Sequence, residues 1–148
     1  MYKKILVPVD GSKTSLRGLE EAIQLARELG GKVRLLHVVN ELVLDTAYGA
    51  DAYGAGILAA MRQEGQAILD AAAAVARTQG LDPECVLVES IGGAAADVAV
   101  EQAKEWGADL IVMGTHGRRG FRRFVMGSDA EGVLRSATSP VLLVRSAA

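Results

Sequence analysis

The chain is short of the residues that usually advertise chemistry. Its single cysteine, Cys85, rules out an internal disulfide and fits a reducing cytoplasm. Two histidines and that one cysteine leave little material for a zinc site. A net charge of −2 gives no general pull toward nucleic acid or an acidic membrane. Apolar runs are short. The start is basic, then apolar for a few residues, with Asp10 soon after, so neither a signal peptide nor a membrane span is expected. Repeats, linkers and low-complexity segments are also missing, apart from the local alanine run Ala71 to Ala74. What is present is the ordinary material of a soluble protein, 50% hydrophobic and 23% charged, and 148 residues suffice for one domain, 1–148, with a substantial core.

The apolar pattern alternates between two periods. Ile5 to Val9 reads as a buried parallel strand, with Pro8 an unusual member that suggests a break before the turn. Leu16, Leu19, Ile23 and Ala26 recur at helical spacing, and Gly30-Gly31 ends that helix. Val33 to Val39 reads as a second strand, closed by His37 and Val38. Asn40 to Gly56 has no clean period and reads as a long, functional loop. Ile57, Met61, Ile68, Ala72 and Val75 mark a long helix that stops at Gly80. A strand from Cys85 to Glu89 follows, then a helix carrying Val98, Ala99, Ala103 and Trp106. Asp109 to Met113 is a fourth strand, Ser128 to about Arg135 a last helix, and Val141 to Val144 a last strand opened by Pro140. Strands alternating with helices predict an α/β fold: one open five-stranded parallel sheet with helices on both faces. Ligands of such sheets bind at the carboxyl ends of the strands, where strand order reverses.

The stretch Gly114-Thr-His-Gly117-Arg-Arg-Gly-Phe-Arg-Arg-Phe-Val-Met-Gly127-Ser128 follows the fourth strand and leads into the last helix. Glycines let backbone N–H groups approach an anion, and the following helix presents its positive end. The spacing Gly-x2-Gly-x9-Gly-Ser is neither the Walker pattern nor the dinucleotide pattern. Turn geometry alone also explains such glycines, and Ser128 reads equally as an N-cap or as a phosphate donor. Arg118, Arg119, Arg122 and Arg123 make the loop basic, as a solvated face or as phosphate ligands. Aromatic interleaving is limited to Phe121 and Phe124, so no nucleic acid is expected as partner.

This signature resembles the ATP-binding loop of the universal stress protein family. The resemblance extends to Tyr2-Lys-Lys-Ile-Leu-Val-Pro8-Val-Asp10-Gly-Ser12, Leu35-Leu-His37-Val38-Val39 and Ser139-Pro140-Val-Leu-Leu-Val144, in the same order over nearly the whole chain. It implies strand order 3-2-1-4-5, a Rossmann-like fold of the adenine nucleotide alpha hydrolase type, with Asp10 beside Gly114 at the crevice. It implies ATP as ligand, with magnesium or manganese as an accompanying ion that Asp10 would help to hold. The implied ATP residues are Pro8, Val9, Asp10, Val38, Met113, Gly114, His116, Gly117, Arg118, Gly127, Ser128 and Asp129. Val38 would act through its backbone at the adenine edge, and Asp10 near the ribose. Hydrolysis is expected to be slow at most, since no base for water attack is evident; His37 has no visible triad partners and reads as a core or strand-end residue.

One departure is Asp129, where the family commonly has a small or apolar residue. Its carboxylate suits a helix start but would face a bound phosphate. The expected protein is therefore a cytoplasmic, ATP-binding, homodimeric regulatory module, dimerised through Val141 to Val144. The alternative is a same-fold interaction protein without nucleotide. An adenylating enzyme of the related fold is disfavoured, because the first turn is Asp10-Gly-Ser12-Lys13 rather than Ser-Gly-Gly-x-Asp-Ser.

Overall fold

The computed structural model describes residues 1–40, 55–90, 93–115 and 126–146. Most of the expected loop after Asn40, and the site candidates His116, Gly117 and Arg118 with the rest of the arginine cluster, lie outside the described residues. In chain order the elements are β1 (Lys4–Pro8), α1 (Lys13–Leu29), β2 (Lys32–Asn40), α2 (Ala55–Thr78), β3 (Glu84–Ser90), α3 (Ala95–Trp106), β4 (Leu110–Gly114), α4 (Ser128–Ser136) and β5 (Val141–Val144). The strands form one parallel sheet of order β3-β2-β1-β4-β5, as the pattern and the resemblance led us to expect.

Period-two alternation distributes the core to both faces. Ile5 and Val7 of β1 and Val9 just beyond it, with Val33 and Leu35 of β2, pack against Leu19 and Ile23 of α1 and Leu69 and Ala73 of α2. Leu6, Leu36, Ile111 and Met113 point the other way, against Ala96, Ala99 and Ala103 of α3 and Ala130 and Val133 of α4. Each fully buried leucine or isoleucine contributes roughly 1.5–3 kcal/mol. Glycines end two of the helices as expected: Gly30 (φ 68°) and Gly107 (φ 75°) adopt the left-handed conformation that releases the chain toward the next strand.

Three local expectations are corrected. Leu16 is 43% exposed and Ile57 37% exposed, so neither belongs to its helix's buried face. The reason for Ile57 is geometric: burial along α2 begins only at Gly65, and the turns before it project past the sheet. β2 continues to Asn40, so His37 lies inside the strand and does not close it. At the other end, α2 starts at Ala55, inside the span read as a loop.

The amino end of the sheet is tied off. Asp109 accepts backbone hydrogen bonds from Lys3 (2.9 Å) and Lys4 (3.1 Å). Trp106 lies under the Arg34 guanidinium, 4.5 Å from its ring centre. The carboxyl end is where the strands separate. β1 pairs with β2 as far as Pro8 and Leu36, but with β4 only as far as Leu6 and Ile111. The backbone explains this. Val9 donates to Leu36 on the β2 side (2.8 Å), while Lys4 accepts from Asp109 on the β4 side. Residues of a strand alternate between its two edges, so Pro8 falls with Lys4 and Leu6 on the β4 edge. Proline has no N–H to continue that ladder. The reversal in strand order thus opens into a crevice between β1 and β4.

Candidate functional site

A groove of about 590 Å³ occupies this crevice and continues over the end of β2. Its size falls within the range of small-molecule sites. Nine residues singled out from the sequence line it: Pro8, Val9 and Asp10 from β1 and its turn, Val38 from β2, Met113 and Gly114 from β4, and Gly127, Ser128 and Asp129 at the start of α4.

Asp10 is held by the turn that follows β1. Gly11 takes a positive φ of 84°, which a side chain would oppose. The turn lets Asp10 Oδ1 accept from the Ser12 N–H (2.9 Å), while the Asp10 N–H donates to Ser15 Oγ (3.1 Å). Ser12 then caps α1 by accepting from the Ser15 N–H at 3.1 Å. The carboxylate is therefore a fixed acceptor at the groove's floor.

Along β2, Leu36 is the last residue paired to β1 in register. Val38 is the next residue on the same edge of the strand. Its backbone N–H and C=O face the groove at a place where, among the described residues, no strand lies alongside. Met61 and Glu64 of α2 add a roof, and Ala94, Ala95 and Ala99 give a wall of small side chains. The projecting turns of α2 are tied to β3 by Arg62, whose Nη2 lies 3.1 Å from Glu89 Oε2. That hydrogen bond holds the Glu89 carboxyl below its ordinary pKa.

His37 points to the α1–α2 face. Its Nδ1 lies 2.8 Å from the Val9 carbonyl oxygen, which can only accept, so Nδ1 carries the hydrogen. The ring is a strap between the end of β1 and β2, and His37 also lines the groove.

The glycines divide by role. A Cβ on Gly114 would lie 2.5 Å from the Thr14 carbonyl oxygen, so this glycine admits the backbone of α1. The close approach at Gly114 has helix backbone as its partner, where the sequence pointed to a phosphate. Gly127 (ψ 155°) occupies the N-cap of α4, and Ser128 is the first helical residue. The expectation of Ser128 as N-cap is corrected by one position. A glycine cap supplies no side-chain acceptor to the first turn, so N–H groups there remain for another acceptor. Asp129 stands on that turn with its surface open to solvent yet crowded by the groove's walls. This partial desolvation, and secondarily the Asp10 carboxylate, raise its pKa.

The sequence reading missed Ser15, Glu64 and the alanine wall. Ser15 carries no signal beyond a helix start. Met61 was read as a core position of α2, and only the projection of that helix past the sheet brings it to the groove. Among the described residues, no three or more His, Cys, Asp or Glu side chains gather to hold a metal ion. None of the described helices is long and apolar enough to cross a membrane.

Comparisons with known proteins agree with this architecture. The family model of the universal stress protein family matches residues 1–145. A universal stress protein of Methanocaldococcus jannaschii is 37% identical over 147 residues, covering 98% of this chain and 83% of that protein. The solved structure of the hypothetical protein MJ0577 superposes with a TM-score of 0.85 at 26% identity, covering 100% of this chain and 99% of that one. A universal stress protein of Archaeoglobus fulgidus in complex with dAMP has a TM-score of 0.71 at 28% identity, covering 97% and 98%. A further structure, of a universal stress protein in complex with cAMP, has a TM-score of 0.70 at 28% identity, covering 99% of this chain and 98% of that one. With a sheet of this order, a groove at its reversal point and a family match along almost its whole length, the chain belongs to the universal stress protein family.

Proposed function

We propose that this chain binds an adenine nucleotide, ATP or a relative of it, in the groove between β1, β2 and β4, and serves as a nucleotide-responsive regulatory module of the stress response. The observation that carries this reading is the arrangement at the reversal point. An unpaired strand edge at Val38 suits the hydrogen-bonding edge of a base. The Asp10 carboxylate suits ribose hydroxyls. A helix start without a side-chain cap, at Gly127 and Ser128, suits phosphate oxygens. Pro8, Val9 and Met113 supply apolar surface between these points, and Gly114 sets the spacing of α1 against β4. The relatives solved with cAMP and with dAMP support the choice of an adenine nucleotide. By sequence, His116, Gly117 and Arg118 would join the phosphate end.

A divalent ion fits this site only through the nucleotide. Asp10 offers hard carboxylate oxygen, and magnesium is commonly held by one or two carboxylates together with phosphates. Magnesium or manganese would neutralise phosphate charge beside Asp10. The reading is of a binding module whose hydrolysis is slow at most. A cytoplasmic location accords with the lone Cys85. Self-association through β5, at the open edge of the sheet, completes the reading as a homodimer of one-domain chains, residues 1–148.

Mass spectrometry of nucleotide carried through purification, followed by calorimetry with ATP and AMP, tests the proposal. Asp10→Asn is expected to weaken both nucleotides and adenosine alike. Failure of folded protein to bind any of them would favour the second reading, an interaction protein of the same fold. The observation on that side is Asp129, a second carboxylate lining the same groove.

A further inference from the structure

We infer that Asp129 is a specificity-determining residue that sets the groove's preference among adenine nucleotides by their charge. In the absence of a divalent cation it favours a mono- or cyclic monophosphate over a free triphosphate. This rests on the nucleotide reading above and concerns which member of the class is preferred.

The argument begins with placement. Asp10 and Asp129 line one groove, Asp10 on the turn after β1 and Asp129 on the first turn of α4. The Asp10 hydrogen bonds to Ser12 and Ser15 hold it in place. Asp129 belongs to a nine-residue helix whose Ala130 and Val133 are buried, so its backbone is anchored beside the groove and only its side-chain torsions can move the carboxylate. Partial desolvation by the groove's walls, and secondarily the Asp10 carboxylate, push the Asp129 pKa up.

Any phosphate at the start of α4 then meets attraction from backbone N–H groups and repulsion from Asp129. The attraction is short-ranged and saturates with the few N–H groups of one helix turn. The repulsion adds over every charge within a screening length of about 8–10 Å. Extra phosphates therefore gain little attraction from the turn while each adds repulsion. Glu131 lies on the same turn but lies outside the groove lining, is exposed, and pairs with Arg135 at 3.0 Å. It makes an internal control for net charge.

The test is calorimetric titration of the folded chain with ATP and with AMP, in chelator and in saturating magnesium. The wild type, Asp129→Asn and Glu131→Gln are compared. In chelator, the ratio Kd(ATP)/Kd(AMP) is expected to fall roughly two- to fivefold on Asp129→Asn and to stay unchanged on Glu131→Gln, because the further phosphates of ATP add charge within a screening length of about 8–10 Å that AMP lacks. In magnesium the difference shrinks. Asp129→Ser provides a second variant if Asn disturbs the fold, with circular dichroism as the check. An unchanged ratio in folded Asp129 variants that still bind both nucleotides overturns the inference while leaving the nucleotide reading intact. An equal shift in Glu131→Gln also overturns it, since net charge would then be the cause. Wild-type protein that binds neither nucleotide overturns both.

Discussion

Gly114 and Thr14 meet backbone to backbone: a Cβ on Gly114 would stand 2.5 Å from the Thr14 carbonyl oxygen and 2.6 Å from its carbonyl carbon. Gly18, one turn further along α1, repeats the contact from the other side, its absent Cβ 3.1 Å from Gly114 N. The helix that carries Ser12 and Ser15 is thereby seated on the end of β4. Neither partner is a flexible side-chain tip, so an added methyl must displace α1. Gly114→Ala is expected to cost about 1–3 kcal/mol of stability, the usual range for overpacking. It should also weaken nucleotide binding by shifting Asp10. Urea denaturation reads the first effect and calorimetry the second; unaltered stability would mean that α1 yields freely.

A similar contact lies across the sheet, where magnitudes oppose each other. A Cβ on Gly65 would lie 2.7 Å from His37 Cδ2 and 2.9 Å from Leu87 Cδ1. The His37 ring cannot retreat without losing its hydrogen bond to Val9. Alanine gains about 1 kcal/mol over glycine in a helix interior, whereas overpacking costs about 1–3 kcal/mol. Gly65→Ala is therefore expected to destabilise by up to about 2 kcal/mol. Gly56→Ala, in the first turn of the same helix with nothing among the described residues within 4 Å of its absent Cβ, should instead be neutral or gain up to about 1 kcal/mol. Denaturant midpoints of the two variants should move in opposite directions or differ clearly; equal midpoints would remove the argument.

These contacts mark the limit of what periodicity conveys. Ile5, Val7 and Leu6 announce a strand buried on both faces, and Gly30 and Gly107 announce helix ends, because burial and backbone conformation act residue by residue. Strand order came with the family resemblance, since pattern alone does not rank parallel strands. Asp10, Val38, Gly127 and Ser128 were legible as a group for that same reason. The partner of Gly114 was not, because a missing side chain says that something approaches without saying what. Leu16 and Ile57 misled for other reasons: Leu16 stands off a turn of α1 whose Thr14, Ser15 and Gly18 are the buried residues, and for Ile57 helical spacing identifies a face without saying where along the helix that face is covered.

The edge of β5 gives a prediction about assembly. Leu142 is 37% exposed on the outermost strand, whose second edge has no neighbour among the described residues. An apolar open edge invites pairing with another copy, and a lysine there is a common deterrent. Sedimentation of the wild type at micromolar concentration is expected to show a dimer, and Leu142→Lys a shift to monomer. A monomeric wild type would refute assembly through this strand.

Asp129 also predicts a pH dependence of stability in nucleotide-free protein. Its helix position favours the charged form by about 0.3–1 kcal/mol, while the groove's walls and Asp10 oppose it. The opposing effects win, since the pKa is raised above the ordinary 3.8. An acid with a raised folded pKa holds its proton more tightly folded than unfolded. Its stabilising contribution is complete below the unfolded pKa and is lost as pH rises through the folded one. At neutral pH the ionised Asp129 therefore works against folding. Asp129→Asn is expected to melt higher than wild type at pH 7, and the gap should close as pH falls toward 3.8. Other carboxylates titrate over the same range in both proteins, so the readout is the difference between paired melting curves rather than either curve alone. A wild type that melts higher at pH 7 would show that the helix start outweighs desolvation.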